Sequence, residues 1–233
     1  MYFIINLRHI LWSIIFFITG IAIGVVLHFS PFSNTFISND TPVVIIDAGH
    51  GLPDGGAVGV NGTVEQQINL SVSQKIQEIL SAKGFHVIMT RNDENGLFTA
   101  TDGIRDMKRK DMAKRLEIMK NSNADLFISI HMNYFTAPSV NGLRIFYSAN
   151  HSEIKPLAER IQSKMSEITG AKTTAVKTAD KNLFLMKNPP LPAILIECGF
   201  LSNPIEEKKL NDDDYRSRLA WAISDAIENY YIE

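Results

Sequence analysis

The stretch Val43-Val44-Ile45-Ile46-Asp47-Ala48-Gly49-His50 sets four β-branched residues in a row and then stops on a histidine held between Gly49 and Gly51. β-Branched residues favour strands, and a run without polar alternation reads as a strand covered on both faces, the condition of a parallel sheet. Working outward, short runs of the same kind recur at 85–90, 126–131, 143–147, 183–186 and 193–198, and amphipathic patterns fill 64–83, 104–121, 152–169 and 212–231. Strands alternating with helices predict an α/β fold, a single domain over 42–233 with a mostly parallel, twisted sheet flanked by helices.

The chain has 233 residues, 45% hydrophobic and 21% charged, enough to bury a core, and its net charge of −2 gives no argument for a nucleic-acid partner. Cys198 is the only cysteine, so an intramolecular disulfide and thiolate-rich zinc sites are excluded, and any metal must be held by His, Asp or Glu. Residues 10–27 carry no charge, and Arg8 precedes them. That is just long enough to cross a bilayer as a helix, and His28-Phe29-Ser30-Pro31-Phe32 offers no small-x-small cleavage site. Residues 1–29 are therefore expected to be a membrane anchor, with a cleaved signal segment as the alternative, and Arg8 favours export of the remainder of the chain. Residues 30–41, with Ser, Asn, Asp and Pro and no apolar period, read as a linker.

In the first helix, Thr63 and Gln66 have the spacing of a capping box, which predicts a start at Val64. Ile68, Val72, Ile76, Ile79 and Leu80 then form one apolar stripe, and Lys83-Gly84 ends it. Glu65, three residues before Ile68, falls on that stripe. Its facing leaves two readings open, a first-turn acid complementing the helix dipole or a ligand.

His50 and His131 each close a strand, and Glu197 alone breaks the apolar run Ala193-Ile194-Leu195-Ile196-Glu197-Cys198. Polar groups at such places are costly unless compensated, and a bound cation is a common compensation. In open α/β sheets the carboxyl ends of strands border the ligand crevice, which is where all three fall. A single histidine is more often a hydrogen-bonded core or rim residue; His86 and His151 belong to that class. His50 differs in its company of Gly49, Gly51, Gly55, Gly56 and Gly59. Glu197 reads either as a partly desolvated acid suited to general-base work or as the solvent-facing residue of an edge strand. Cys198 should point to the opposite face, as small buried packing.

The segments Ile46-Asp47-Ala48-Gly49-His50-Gly51, Val64-Glu65-Gln66-Gln67-Ile68-Asn69-Leu70, Phe127-Ile128-Ser129-Ile130-His131-Met132-Asn133 and Leu195-Ile196-Glu197-Cys198-Gly199-Phe200-Leu201-Ser202-Asn203 resemble, in order and spacing, the zinc-dependent N-acetylmuramoyl-L-alanine amidases of the amidase 3 family. The resemblance implies that His50, Glu65 and His131 hold Zn²⁺, that Glu197 is the catalytic glutamate, and that the substrate is peptidoglycan. Arg91 and Arg115 also fall where the family often has arginine, and structural salt bridging is their expected role. Ala48 stands where many members have proline and Leu52 where many have glycine, which bears on loop shape rather than on the ligands. A hydrophobic N-terminal segment before a bare catalytic domain is most similar to the sporulation amidases that prepare spore-cortex peptidoglycan.

Two imidazoles and a carboxylate leave a zinc position for water, the arrangement of catalytic rather than structural sites. Asn133 is a candidate contact to substrate or to a ligand, with loop capping as the alternative. The implied setting is outside the cytoplasm, tethered to the membrane or secreted to the wall, with an activator protein as a conceivable partner. Two rivals remain at this point: a zinc peptidase cutting between amino acids of peptidoglycan, and a membrane-tethered wall-binding protein without catalysis.

Overall fold

The computed structural model describes residues 41–98, 103–180 and 182–232. In chain order the elements are β1 (Val43–Ala48), α1 (Glu65–Ala82), β2 (His86–Met89), α2 (Ile104–Asn121), β3 (Leu126–Asn133), β4 (Arg144–Tyr147), α3 (Lys155–Thr169), β5 (Lys177–Thr178), β6 (Ala193–Phe200), α4 (Pro204–Leu210) and α5 (Asp213–Ile232), with 3-10 turns at Ala149–Ile154 and Phe184–Met186. The expected anchor at 1–29 and nearly all of the linker at 30–41 lie outside the described residues. Among the described residues no helix is long and apolar enough to cross a membrane.

Six strands form one sheet in the order β2-β1-β3-β6-β4-β5. All neighbours are parallel except β4, which runs antiparallel to β6. The predicted α/β domain is therefore the observed one. Its period-2 alternation divides the apolar side chains between two cores. Val44, Ile46, Ile128, Ile130, Ile194, Ile196 and Cys198 pack on one face with Ile68, Val72 and Ile76 of α1, Leu157 and Ile161 of α3, and Leu219, Ile223 and Ile227 of α5. Ile45, Phe127, Ala193 and Leu195 pack on the other with Met119 of α2 and with Leu185 and Met186. Removing each such side chain from water stabilises the fold by roughly 1.5–3 kcal/mol.

Two local expectations fail for identifiable reasons, and two elements were not expected. The run 183–186, expected as a strand, contains a 3-10 turn at Phe184–Met186. Leu185 and Met186 are pressed into the core on the α2 side while Phe184 stays exposed, so the run packs over the sheet and not within it. The capping box does not form, and α1 has no side-chain cap. Loop carbonyls cap it instead: Glu65 N donates to Ala57 O at 2.9 Å and Gln66 N to Gly55 O at 3.0 Å, while the Thr63 hydroxyl accepts from Asn211 Nδ2. Finally, β5 and α4 are absent from the sequence reading, the first because two residues carry no periodicity.

Candidate metal centre

β1, β3 and β6 lie side by side, so their carboxyl ends bring His50, His131 and Glu197 to one edge of the sheet. His131 is the register partner of Glu197. His50 leaves β1 in the left-handed conformation with φ 63°, which costs a non-glycine residue roughly 1–2 kcal/mol and turns its ring back across the strand ends. α1 arrives from the opposite core and puts Glu65 between the two imidazoles. Glu65 is 3% exposed, so of its two readings the dipole role is subordinate to these contacts.

Glu65 Oε2 lies 3.2 Å from His50 Nε2 and Oε1 lies 3.0 Å from His131 Nδ1. One donor atom from each of the three residues falls within 4.8 Å of the others, a group able to hold a metal ion. Two imidazoles and a carboxylate suit a first-row divalent cation. Further contacts fix Glu65 and His50. Glu65 Oε1 also accepts from Met132 N at 3.1 Å and Asn69 Nδ2 at 3.2 Å, and Oε2 from Ala57 N at 2.8 Å. His50 Nδ1 is engaged by Asp54 Oδ2 at 3.1 Å, which leaves Nε2 for a metal. A carboxylate behind a ligating imidazole orients the ring and raises its basicity. Lys108 pairs with the same Asp54 oxygen at 3.0 Å. At Gly56, with φ 72°, a Cβ would collide with Glu65 Oε2 and His50 Cδ2, so glycine is required there.

The electrostatics match this reading. Burial opposes a charge on Glu65, but His131 and His50 outweigh it and hold the carboxyl far below the usual range. Burial likewise opposes protonation of His50, yet Asp54 and Glu65 raise it to about 9. Without a metal, a proton therefore supplies the positive charge that the two carboxylates demand. Glu197 behaves differently. Burial pushes it up to about 7, His131 working against the rise and Glu65 with it. Its Oε2 is buried and has no hydrogen-bond partner among the described residues. An acid poised near neutrality with a free oxygen can take and return a proton.

His50, Asp54, His131 and Glu197 line a cavity of about 370 Å³. Its walls are apolar on one side, from Leu183 to Met186 with Met112 and Leu195, and polar on the other, with His50, His131, Glu197 and Lys108. Beneath it Asp47 and Arg115 form a buried ion pair, and Arg115 Nε donates to Asp111 Oδ2 at 2.6 Å. Arg115 thus has the expected structural role. Arg91 forms no ion pair among the described residues and bonds only to backbone carbonyls. Asn133 Oδ1 accepts from Tyr134 N at 2.8 Å, and the cavity lining does not include it. His86 is exposed and His151 pairs with Glu153, away from the site. The sequence reading missed Asp54 and Asn69. Asn69 stands four residues after Glu65 on the same helix face, a spacing that could have revealed it.

A cleft of this chemistry is suited to hydrolysis by activated water. The sequence profile of the family described as N-acetylmuramoyl-L-alanine amidase matches residues 44–229. The chain is 34% identical over 192 residues to the germination-specific N-acetylmuramoyl-L-alanine amidase of Bacillus subtilis strain 168, spanning 82% of this chain and 80% of that protein. Among solved structures, the CwlD amidase of Clostridioides difficile in complex with the GerS lipoprotein is 36% identical with a TM-score of 0.79, covering 82% of this chain and 98% of that one. The catalytic domain of CwlV from Bacillus (Paenibacillus) polymyxa var. colistinus is 30% identical with a TM-score of 0.71, over 82% of this chain and 98% of that one. This chain belongs to the N-acetylmuramoyl-L-alanine amidase family.

Proposed function

We propose that the protein is a zinc-dependent amidase that cleaves the bond between the lactyl group of N-acetylmuramic acid and the L-alanine of the peptidoglycan stem peptide. The observation that carries the reading is the buried, unpartnered Glu197 Oε2 beside the His50, Glu65 and His131 donors. His50, Glu65 and His131 would hold the ion. Bound zinc supplies Lewis acidity toward the amide carbonyl and toward water. Glu197 accepts the proton of the attacking water and returns one to the departing alanine nitrogen. Asp54 holds the His50 ring, and the apolar wall from Leu183 to Met186 limits water around the scissile bond. Asn133 can meet substrate through its Nδ2 while Oδ1 accepts from Tyr134 N.

The setting belongs to the same proposal. Similarity to the germination-specific enzyme supports a role in spore-cortex maturation, where loss of the stem peptide lets muramic-δ-lactam form. The apolar segment at 10–27 anchors the domain outside the cytoplasm, 30–41 links the two, and residues from 42 onward act on the wall. The CwlD structure is of a complex with a lipoprotein, which supports a protein partner of that kind here.

Mass spectrometry of a digest of purified cell wall tests the reading. Intact free stem peptides beginning with L-alanine are expected. Products cut only between amino acids overturn it in favour of a peptidase. Absence of turnover, with zinc and candidate partner supplied, leaves a wall-binding protein.

A further inference from the structure

Arg91 is 4% exposed and buried without a carboxylate partner among the described residues. Its guanidinium is held by four backbone carbonyls. Nε donates to Ala48 O at 2.9 Å, Nη1 to Asp93 O at 2.7 Å, and Nη2 to both Gly49 O at 3.0 Å and Gln66 O at 2.9 Å. A buried cation without a direct ion pair carries a large desolvation cost, and an apolar side chain of similar volume is often the more stable choice. Burial and the charge of Arg115 lower its pKa to about 10, against the opposing pull of the Asp47, Asp111 and Asp93 carboxylates. Its partners suggest what offsets that cost. Gly49 precedes His50, Gln66 follows Glu65, and a single nitrogen bridges the two.

Asn69 makes a second bridge between the same two segments. Its Nδ2 donates to Gly49 O at 3.1 Å and to Glu65 Oε1 at 3.2 Å. The Gly49 carbonyl thus has both lone pairs filled, by donors that each also grip the first turn of α1. Both bridges are buried, so water does not compete for them.

We infer that Arg91 and Asn69 are positioning residues which, through the Gly49 carbonyl, fix the separation of His50 and Glu65 before any metal arrives. The inference rests on the metal-centre reading above. Arginine is needed because a planar fork can reach carbonyls on β1, on α1 and in the loop after β2 together; lysine keeps the charge but not the span. Asn69 adds orientation, since it touches the Glu65 carboxylate itself.

The test uses the full-length protein in detergent, as wild type, Arg91→Lys and Asn69→Ala. Zinc affinity is measured by competition with a chromophoric chelator, the Co²⁺-substituted absorption spectrum is recorded, and the metal-free protein is melted. Each variant is expected to bind zinc roughly tenfold or more weakly, the usual scale for residues that orient ligands, with an altered cobalt spectrum. A lowered melting temperature with wild-type zinc affinity and an unchanged cobalt spectrum overturns the inference, because a purely structural role leaves the folded site intact. If Arg91→Lys does not fold, Asn69→Ala, a truncation that suits a helix interior, decides alone. Wild-type protein that binds no zinc removes the metal-centre reading and this inference together. Wild-type binding matched by both variants removes the inference alone.

Discussion

His131 and Glu197 are register partners on adjacent parallel strands, so their side chains emerge on the same face about 4.8 Å apart. One holds a ring nitrogen toward Glu65, and the other keeps a carboxylate oxygen without a partner. The proposed ligand and the proposed proton acceptor are thus set beside one another by the sheet ladder rather than by a loop.

Glu197→Gln should separate the two roles. It is nearly isosteric, and Glu197 makes no hydrogen bond to any of the three donors, so bound zinc should persist while stem-peptide release falls by about 10²–10⁴-fold, the scale of general acid–base catalysis. Metal analysis and a wall digest of the same sample check both halves. Turnover near the wild-type level removes Glu197 as the base.

Metal removal should abolish turnover reversibly. A chelator should stop stem-peptide release and added zinc should restore it, and zinc at about 100 times its Kd should stabilise the wild type by about 2.7 kcal/mol. His131→Ala should lose that stabilisation. Gly49→Ala should lose most of it, because the added Cβ would press into the His131 ring. Thermal melts with and without zinc are the measurement.

Asp47 should make stability depend on acid. Burial favours its neutral form, but Arg115 and the Ser129 hydroxyl outweigh burial and lower its pKa. A carboxyl depressed in the folded state contributes stability above the ordinary aspartate range, near 4, and that contribution fades as pH falls through its folded value. Asp47→Asn, which leaves Arg115 buried and unpaired on that side, should cost about 3–5 kcal/mol at pH 7. In urea unfolding the gap between wild type and variant should narrow below pH 4; a constant gap contradicts the assignment.

Glu207 should matter for stability more than for metal. It is fully buried in α4, its two oxygens accept from Asn61 N at 2.9 and 3.0 Å, and it also accepts from Asn61 Nδ2 at 2.8 Å and Thr63 N at 3.3 Å. Glu207→Ala orphans those donors, an expected loss of about 1–3 kcal/mol. Chelator competition should still report zinc binding close to the wild-type value.

The fold was readable where a pattern repeated. β1, β3 and β6 carry apolar runs that only a covered parallel sheet accommodates, and α1, α3 and α5 carry stripes of period 3.6. What escaped were elements too short to show a period. The turn at Phe184–Met186 looked like a strand because four apolar residues look alike in any conformation. α4 had a usable signal in Asn203-Pro204, since Asn203 Oδ1 does cap Ile205 N and Glu206 N and proline does occupy the first turn. The site was legible to the same extent. His50 and His131 stood out by ending strands, whereas Glu65 stayed ambiguous because facing alone does not distinguish a ligand from a dipole partner. Asp54, Asn69 and the carbonyl-bound Arg91 act through contacts between segments, which no single stretch of chain displays.

The sheet order also separates the four residues in time. β6 slots between β3 and β4, so the strand bearing Glu197 fills the middle of the sheet although it comes last among the strands. A growing chain has His50, Glu65 and His131 once residue 131 is made, yet lacks Glu197 for a further 66 residues. Until β6 enters, β3 and β4 have no strand between them and Glu197 is not beside His131, so the cleft is completed only by the last strand of the chain.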